Sequence, residues 1–316
     1  MIRYVGRRLL QSVVVLLGVT IAVFVLTALL PGSTARAILG PKATPIAIAA
    51  FDHAHGLDRP LPVQYGVYVW HLAHGDLGFS YLLNESVAQL IGERLPKTIV
   101  LLTLAYAVAV LVAVPIGMMQ AVRRNRVEDY GITAVAFLLY SMPAFWLGLV
   151  LIIVFSADLS ILPPEGPQDG VDSYLGQLPS LVLPVLSLSL ITIALFSRYM
   201  RSSVIDNLVQ DYVRTARAKG ASESWVLYRH VLRNSLIPLI TLLGLSLPVI
   251  FSGALITEAV FNLPGMGLLF WDAARRRDYP VLLGVTLVVA VSTVLGNLLA
   301  DIMYAAADPR VRLTGS

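Results

Sequence analysis

Six stretches of the chain are apolar over more than 20 residues each: Leu9 to Leu30, Thr98 to Gln120, Ile132 to Phe155, Leu178 to Tyr199, Leu236 to Ile256 and Val281 to Ala305. A helix rises about 1.5 Å per residue, so about 20 such residues cross the roughly 30 Å hydrocarbon layer of a bilayer. With 57% hydrophobic and 13% charged residues among 316, the chain is too apolar for a soluble domain of this length. The expectation is an all-α integral membrane protein with six transmembrane helices.

The first run follows Arg3, Arg7 and Arg8, as the core of a secretory signal would. Signal cores are about 7 to 15 residues long. This run spans a bilayer and ends at Pro31-Gly32, so it reads as a retained helix. An even number of spans puts both termini on one side, and basic residues mark the cytoplasmic side. Arg3, Arg7, Arg8, Arg123, Arg124, Arg126, seven basic residues from Arg198 to Arg233, Arg310 and Arg312 place fifteen of the 23 Lys and Arg on the side of the termini. The loop between Phe155 and Leu178 carries Asp158, Glu165, Asp169 and Asp172 and no basic residue, as an outer loop should. Both termini are expected in the cytoplasm.

The segment from Pro31 to Lys97 mixes Pro, Gly, His and balanced charge and reads as a small extracytoplasmic subdomain, with Tyr65 to Leu72 a short helix at the interface. The expected organisation is a tail and first helix over 1–30, an outer loop subdomain over 31–96, a five-helix core over 97–305 with a cytoplasmic loop at 200–235, and a tail over 306–316. No internal repeat stands out, which disfavours a repeat-built secondary transporter.

Proton or ion relays need ionisable groups in the spans, where an unpaired charge costs at least about 2.5 kcal/mol. Asp129, Arg198, Glu258 and Asp301 all lie within a turn or two of an expected helix end, so proton-coupled transport is disfavoured. His53-x-His55 and His71-x-x-His74 have spacings a metal can use, but with no cysteine and only Asp52, Asp58 and Asp76 nearby they read as surface histidines. There is no G-x-x-x-x-G-K-[ST] loop, so this chain does not bind ATP by that route. Its basic balance reports orientation and anionic lipid, not nucleic acid.

The segment Asp211 to Gly220 contains good helix formers up to Lys219 and then a glycine placed as a helix C-cap. Ser222 offers an N-cap with Glu223 at the positive helix end, and a second helix runs through Trp225, Tyr228 and Leu232 toward the fifth span. Ala216, Ala218, Gly220 and Ala221 leave little bulk at the bend, and Arg214, Arg217 and Lys219 ring it with positive charge. Physics alone allows two readings: a knob for a partner's groove, or a connector lying on anionic lipid.

The stretch Asp211 to Pro238, with Gly220 and Asn234-Ser235-Leu236-Ile237-Pro238, resembles the cytoplasmic signature loop of permease subunits of bacterial ABC importers, more narrowly the dipeptide, oligopeptide and nickel permeases. The likeness extends to Gly75-Asp76-Leu77-Gly78, Arg94-Leu95-Pro96, Ser141-Met142-Pro143-Ala144-Phe145-Trp146-Leu147-Gly148, Glu258-Ala-Val-Phe261 with Pro264-Gly265, Arg277-Asp278-Tyr279-Pro280 and Asp308-Pro309-Arg310. The general signature opens with Glu-Ala-Ala, where this chain has Arg214, Thr215 and Ala216. No salt bridge of that glutamate to an ATPase is therefore assigned.

The resemblance implies a type I importer permease in the bacterial cytoplasmic membrane, non-catalytic, working with a homologous second permease, two ABC ATPase subunits or domains, and an extracytoplasmic solute-binding protein. ATP and Mg would belong to the ATPases, and the cargo would be a dipeptide or oligopeptide, alternatively nickel or another small solute. Arg214, Thr215, Ala216, Arg217, Ala218, Lys219, Gly220 and Ala221 would form the coupling helix that docks on the ATPase. Ser141, Met142, Pro143, Phe145, Trp146 and Glu258 are candidate pathway residues, with Pro143 kinking the third span. Arg275, Arg276 and Arg277 are candidate contacts for charged peptide ends, or partners of Asp272 and Asp278. A channel or carrier without ATP, or a membrane-embedded enzyme, are remoter readings.

Overall fold

The computed structural model describes residues 2–29, 34–40, 42–168 and 174–307. Pro31-Gly32, Asp169, Asp172, Asp308-Pro309-Arg310 and Arg312 lie outside the described residues, as do the side chains of Arg3, Arg7, Arg8 and Asp301. Helices dominate the rest. Four of them are long and apolar enough to cross a membrane: α5 (Val87–Val122), α8 (Leu178–Leu208), α10 (Glu223–Ser252) and Tyr279–Gly296 within α13 (Tyr279–Ala307). A bent pair, α6 (Val127–Ser141) with α7 (Ala144–Asp158), makes a fifth if counted as one span, and α1 (Ile2–Leu29) contributes a shorter apolar stretch, Val13–Leu26.

Two of the expected spans are not single helices. Ile132 to Phe155 is broken, not merely kinked: α6 and α7 meet at 104°. Pro143 disfavours helical backbone in the residue before it, and Met142 and Pro143 are both extended (ψ 133° and 134°). Leu236 to Ile256 ends early, because α10 stops at Ser252 and Gly253 turns left-handed (φ 92°) before α11 (Leu255–Val260). The helical fold also includes one two-residue β-hairpin, β1 (Phe79–Ser80) antiparallel to β2 (Glu85–Ser86), with Phe79 opposite Ser86.

The chain divides into two compact units. The first holds residues 1–98, 251–255 and 264–316, and includes α1, α2 (Thr34–Leu39), α3 (Pro45–Ala54), α4 (Leu61–Ala73), the hairpin, the start of α5, α12 (Met266–Arg276) and α13. Its core packs Val87, Leu90 and Ile91 of α5 against Met266, Leu269, Val281 and Val285. Gly284 permits that approach, since a Cβ there would fall 2.4 Å from Val87 Cγ1. Asp278 closes the core's edge. It is buried, accepts a hydrogen bond from the Ser80 hydroxyl of the hairpin, and accepts from Val281 N at 3.5 Å in the first turn of α13.

The second unit, residues 99–250 and 256–263, holds the rest of α5, all of α6, α7 and α8, and most of α10 and α11. Gly117 lets α5 and α8 touch: a Cβ there would meet Met200 Cβ at 2.6 Å and Ser197 O at 2.8 Å. One apolar cluster joins four elements at one end of this unit, with Met118 and Ala121 of α5, Met200 and Val204 of α8, Val213 and Ala216 of α9 (Asp211–Ala218), and Val226 and Val231 of α10.

Candidate functional site

The bend at Gly220 sits on that cluster. The helix α9 turns its Val213 and Ala216 face inward and leaves Arg214, Thr215, Arg217, Ala218, Lys219 and Gly220 exposed. Its end is a complete Schellman motif, in which Gly220 N donates to Arg217 O (2.9 Å) and Ala221 N donates to Ala216 O (3.2 Å). Gly220 has φ 80°, a conformation that costs any residue with a Cβ, yet no heavy atom lies within 4 Å of where that Cβ would be. Ser222 caps α10 by accepting from Trp225 N (3.4 Å). The glycine C-cap and the serine N-cap expected from the sequence are both formed.

Two features of the bend were not legible in the sequence. Arg217 forks onto Glu223 across it, through Nε and a terminal nitrogen at 2.8 and 2.9 Å, so the ring of positive charge is partly neutralised. Arg214 also has an acid within 3.5 Å, Asp211, leaving Lys219 as the cation of the bend without an ion pair among the described residues. Second, α10 contains one π-turn, Leu227–Val231, in which Leu232 N donates to Leu227 O. The helix nonetheless continues from Glu223 through to Ser252, so the bend and a membrane-length helix form one piece.

An ion pair joins α6 to α8 in the same unit. Asp129 of α6 is 2% exposed and accepts two hydrogen bonds from Arg201 of α8, at 2.8 and 2.7 Å. It accepts a third from Asn125 N (3.0 Å) in the turn between α5 and α6, where Asn125 is left-handed (φ 64°). The two partners are 72 residues apart in sequence, so flanking charges that look like orientation markers turn out to be a tertiary clasp.

The candidate pathway residues divide. Ser141, Pro143, Phe145 and Trp146 are exposed at the α6–α7 break, and Met142 is half-buried. Ser141 Oγ donates back to Phe137 O at 2.8 Å. Glu258, by contrast, is fully buried in α11 beside Thr257 and Phe261. The expected pairing of Arg275, Arg276 and Arg277 with Asp272 and Asp278 is not formed among the described residues. Asp278 faces inward to Ser80 and α13, and the three arginines lie exposed at the end of α12, where Arg277 adopts the left-handed cap (φ 60°). Arg276 instead borders a cavity of about 250 Å³ with Glu85, Arg94 and Asp272.

The histidines are engaged locally. His53 meets Asp58 (2.8 Å) and His71 meets Asp76 (3.0 Å), while His55 and His74 reach the carbonyls of Phe51 and Trp70. The His53 contact holds the exposed Asp58 carboxyl below its ordinary range. No group of three metal-binding side chains occurs among the described residues.

Residues 113–313 match the family described as binding-protein-dependent transport system inner membrane component, and residues 1–102 match the N-terminal membrane component of such systems. A putative peptide permease protein of Brucella ovis is 42% identical, over 99% of this chain and all of its own. The oligopeptide transport system permease protein AppB of Bacillus subtilis is 40% identical over 98% of this chain and 99% of its own. The glutathione transport system permease protein GsiC of Salmonella choleraesuis is 40% identical over 99% of both chains.

Proposed function

We propose a function from one premise: this chain belongs to the family of binding-protein-dependent transport system inner membrane components. It is the permease subunit of an ATP-driven importer in the bacterial cytoplasmic membrane and forms half of the translocation pathway. Its cargo is peptide, a reading supported by relatives named as peptide, oligopeptide and glutathione permeases. The chain crosses the membrane six times in the type I arrangement, counting α1 and the α6–α7 pair as one span each, with both termini in the cytoplasm. Residues 31–96 then form an outer subdomain, residues 97–305 the core, and 306–316 a cytoplasmic tail. A solute-binding protein delivers cargo from outside, a homologous permease completes the pathway, and two ABC ATPase subunits or domains bind ATP and Mg and carry out the hydrolysis.

The observation that carries the mechanism is the join of the bend to the membrane helices. Arg214 to Ala221 act as the coupling helix, with Ala218, Lys219 and Gly220 presented to a groove of the ATPase. Because Val213 and Ala216 share one apolar cluster with α5, α8 and α10, and α10 is continuous into the membrane, a push on the bend moves packed helices and not a slack loop. Alternating access follows as α10 tilts and the exposed Pro143, Phe145 and Trp146 at the α6–α7 break change what they face.

Proteoliposomes holding this chain with its second permease and ATPases, supplied with binding protein and peptide, test the reading through ATP hydrolysis and uptake. Ala218→Trp adds bulk on the exposed face without touching backbone geometry. A lost docking contact of about 2 kcal/mol or more lowers coupled uptake by more than about tenfold. Unchanged uptake in that variant, or uptake with no ATPase present, removes the coupling role.

A further inference from the structure

The outer segment contains a helix whose polar side chains Gln64 and His71 share one side. From Leu61 to Ala73, α4 has no Asp, Glu, Lys or Arg, and not one of its residues is buried. Large apolar side chains left exposed on a helix call for a cover, in protein or in lipid. One face, Tyr65, Tyr68 and Leu72, is half-covered, while the opposite face presents Val63, Val67 and Trp70 at 46%, 42% and 66% exposure. Neighbouring α3 is similar in kind, apolar apart from Asp52 and His53 and without a buried residue.

The level at which α4 sits is fixed by its contacts with α1. The Phe24 ring lies 5.4 Å from that of Tyr65 and 6.1 Å from that of Tyr68. Thr20 Oγ1 gives its proton to Leu17 O, so Tyr65 donates its hydroxyl to Thr20 at 2.9 Å. Thr20 and Phe24 both belong to the apolar stretch Val13–Leu26. At about 1.5 Å per residue, Thr20 lies roughly 9 Å inside the end of that stretch. The Tyr65 hydroxyl therefore bonds at the level of the apolar stretch of α1, and α4 is held there with it.

We infer that α3 and α4 form a monolayer anchor: the helix pair lies in the outer leaflet, with Val63, Val67 and Trp70 against lipid, and is not a water-exposed subdomain or a landing face for a soluble protein. The inference rests on the membrane reading of the chain and deepens it by assigning lipid as the occupant of this face. Tyr65, Tyr68 and Trp70 are the residue types that settle at the boundary of hydrocarbon and headgroups. The His53–Asp58 and His71–Asp76 contacts lie at the C-terminal ends of the two helices, where a water-facing rim belongs. Gln64 and His71 lie to one side of the Val63, Val67 and Trp70 face, which carries no polar side chain.

The chain has no cysteine, so single spin labels are introduced without background. Val63→Cys, Val67→Cys and Trp70→Cys, with Asp58→Cys as the water-facing reference, are labelled in the full reconstituted transporter. Collision with oxygen, which concentrates in lipid, is compared with collision with a water-soluble nickel chelate. The anchor requires oxygen to dominate at the three α4 sites and nickel to dominate at residue 58. Nickel dominating on α4 means open water, and low collision with both means a protein cover; either result overturns the inference. Peptide uptake in the same vesicles reads the permease function separately, so failure of one reading is not mistaken for failure of the other.

Discussion

Arg201 of α8 holds both carboxylate oxygens of Asp129 of α6, at 2.8 and 2.7 Å, in a site where the aspartate is all but removed from solvent. Removing one member of such a pair leaves a buried, uncompensated charge, at a cost of about 3–5 kcal/mol. Arg201→Met is expected to lower the thermal unfolding midpoint of the detergent-purified protein sharply. Asp129→Leu combined with Arg201→Met should recover most of the loss, because no charge is then left unpaired. Equal loss in the single and double variants would mean that the clasp contributes through shape and not through charge.

Gly117 and Gly220 are expected to respond to the same substitution for different reasons. At Gly117 an added Cβ meets Ser197 O at 2.8 Å, an atom that cannot move aside without α8 moving. Gly117→Ala should therefore cost about 1–3 kcal/mol by overpacking. Gly220→Ala meets nothing, and only its left-handed backbone (φ 80°) penalises it, by about 1 kcal/mol. Unfolding midpoints of the two variants should rank in that order.

The Arg217–Glu223 fork is well formed but exposed, with side-chain exposures of 41% and 73%. Exposed pairs contribute about 1 kcal/mol or less. Glu223→Gln should leave folding nearly unchanged, while freeing Arg217 to meet an acidic partner. ATPase docking by that variant is then expected to become more salt-sensitive than in the parent.

Asp278 is expected to make the fold weaker as pH rises. Burial raises its pKa above the ordinary 3.8, and the hydrogen bonds from Ser80 and Val281 only partly oppose this. The folded state therefore keeps its proton to a higher pH than the unfolded chain. The resulting penalty is absent below the ordinary value, grows as pH rises through the folded pKa, and is complete above it. Asp278→Asn keeps an acceptor for Ser80 and removes the titration. Its stability relative to the parent should be greater at neutral than at acid pH; a constant difference would remove Asp278 as the cause.

Much of this fold is legible in the sequence because bilayer thickness and capping chemistry act locally. The run of apolar residues gives α5, α8 and α13, and Gly220 followed by Ser222 gives the bend. What escaped sequence reading depends on distant residues or on backbone choices with several solutions. Pro143 announces a disturbance, but whether a helix kinks or breaks by 104° depends on how α7 packs, with Leu147, Leu151 and Phe261 in one cluster. The partners of Asp129 and Asp278 lie 72 and 198 residues away, and neither spacing leaves a periodic trace. Glu258 looked like an accessible charge near a helix end, and it is fully buried in the separate short helix α11.

The single π-turn in α10 also has a consequence for direction. Buried positions along this helix fall at Val226, Val231, Ser235, Leu239 and Gly244, and the π-turn lies within the first interval, between Val226 and Val231. With about 3.6 residues per turn, each residue advances a helix by about 100°. The π-turn therefore acts as a phase offset, absorbing one extra residue between two positions that both face inward. Deleting a residue such as Tyr228 would leave both flanking segments intact in composition, yet it would rotate the tip at Gly220 by roughly 100° about the α10 axis. The compass bearing of the bend is thus encoded in one turn of backbone, independently of the residues at the tip.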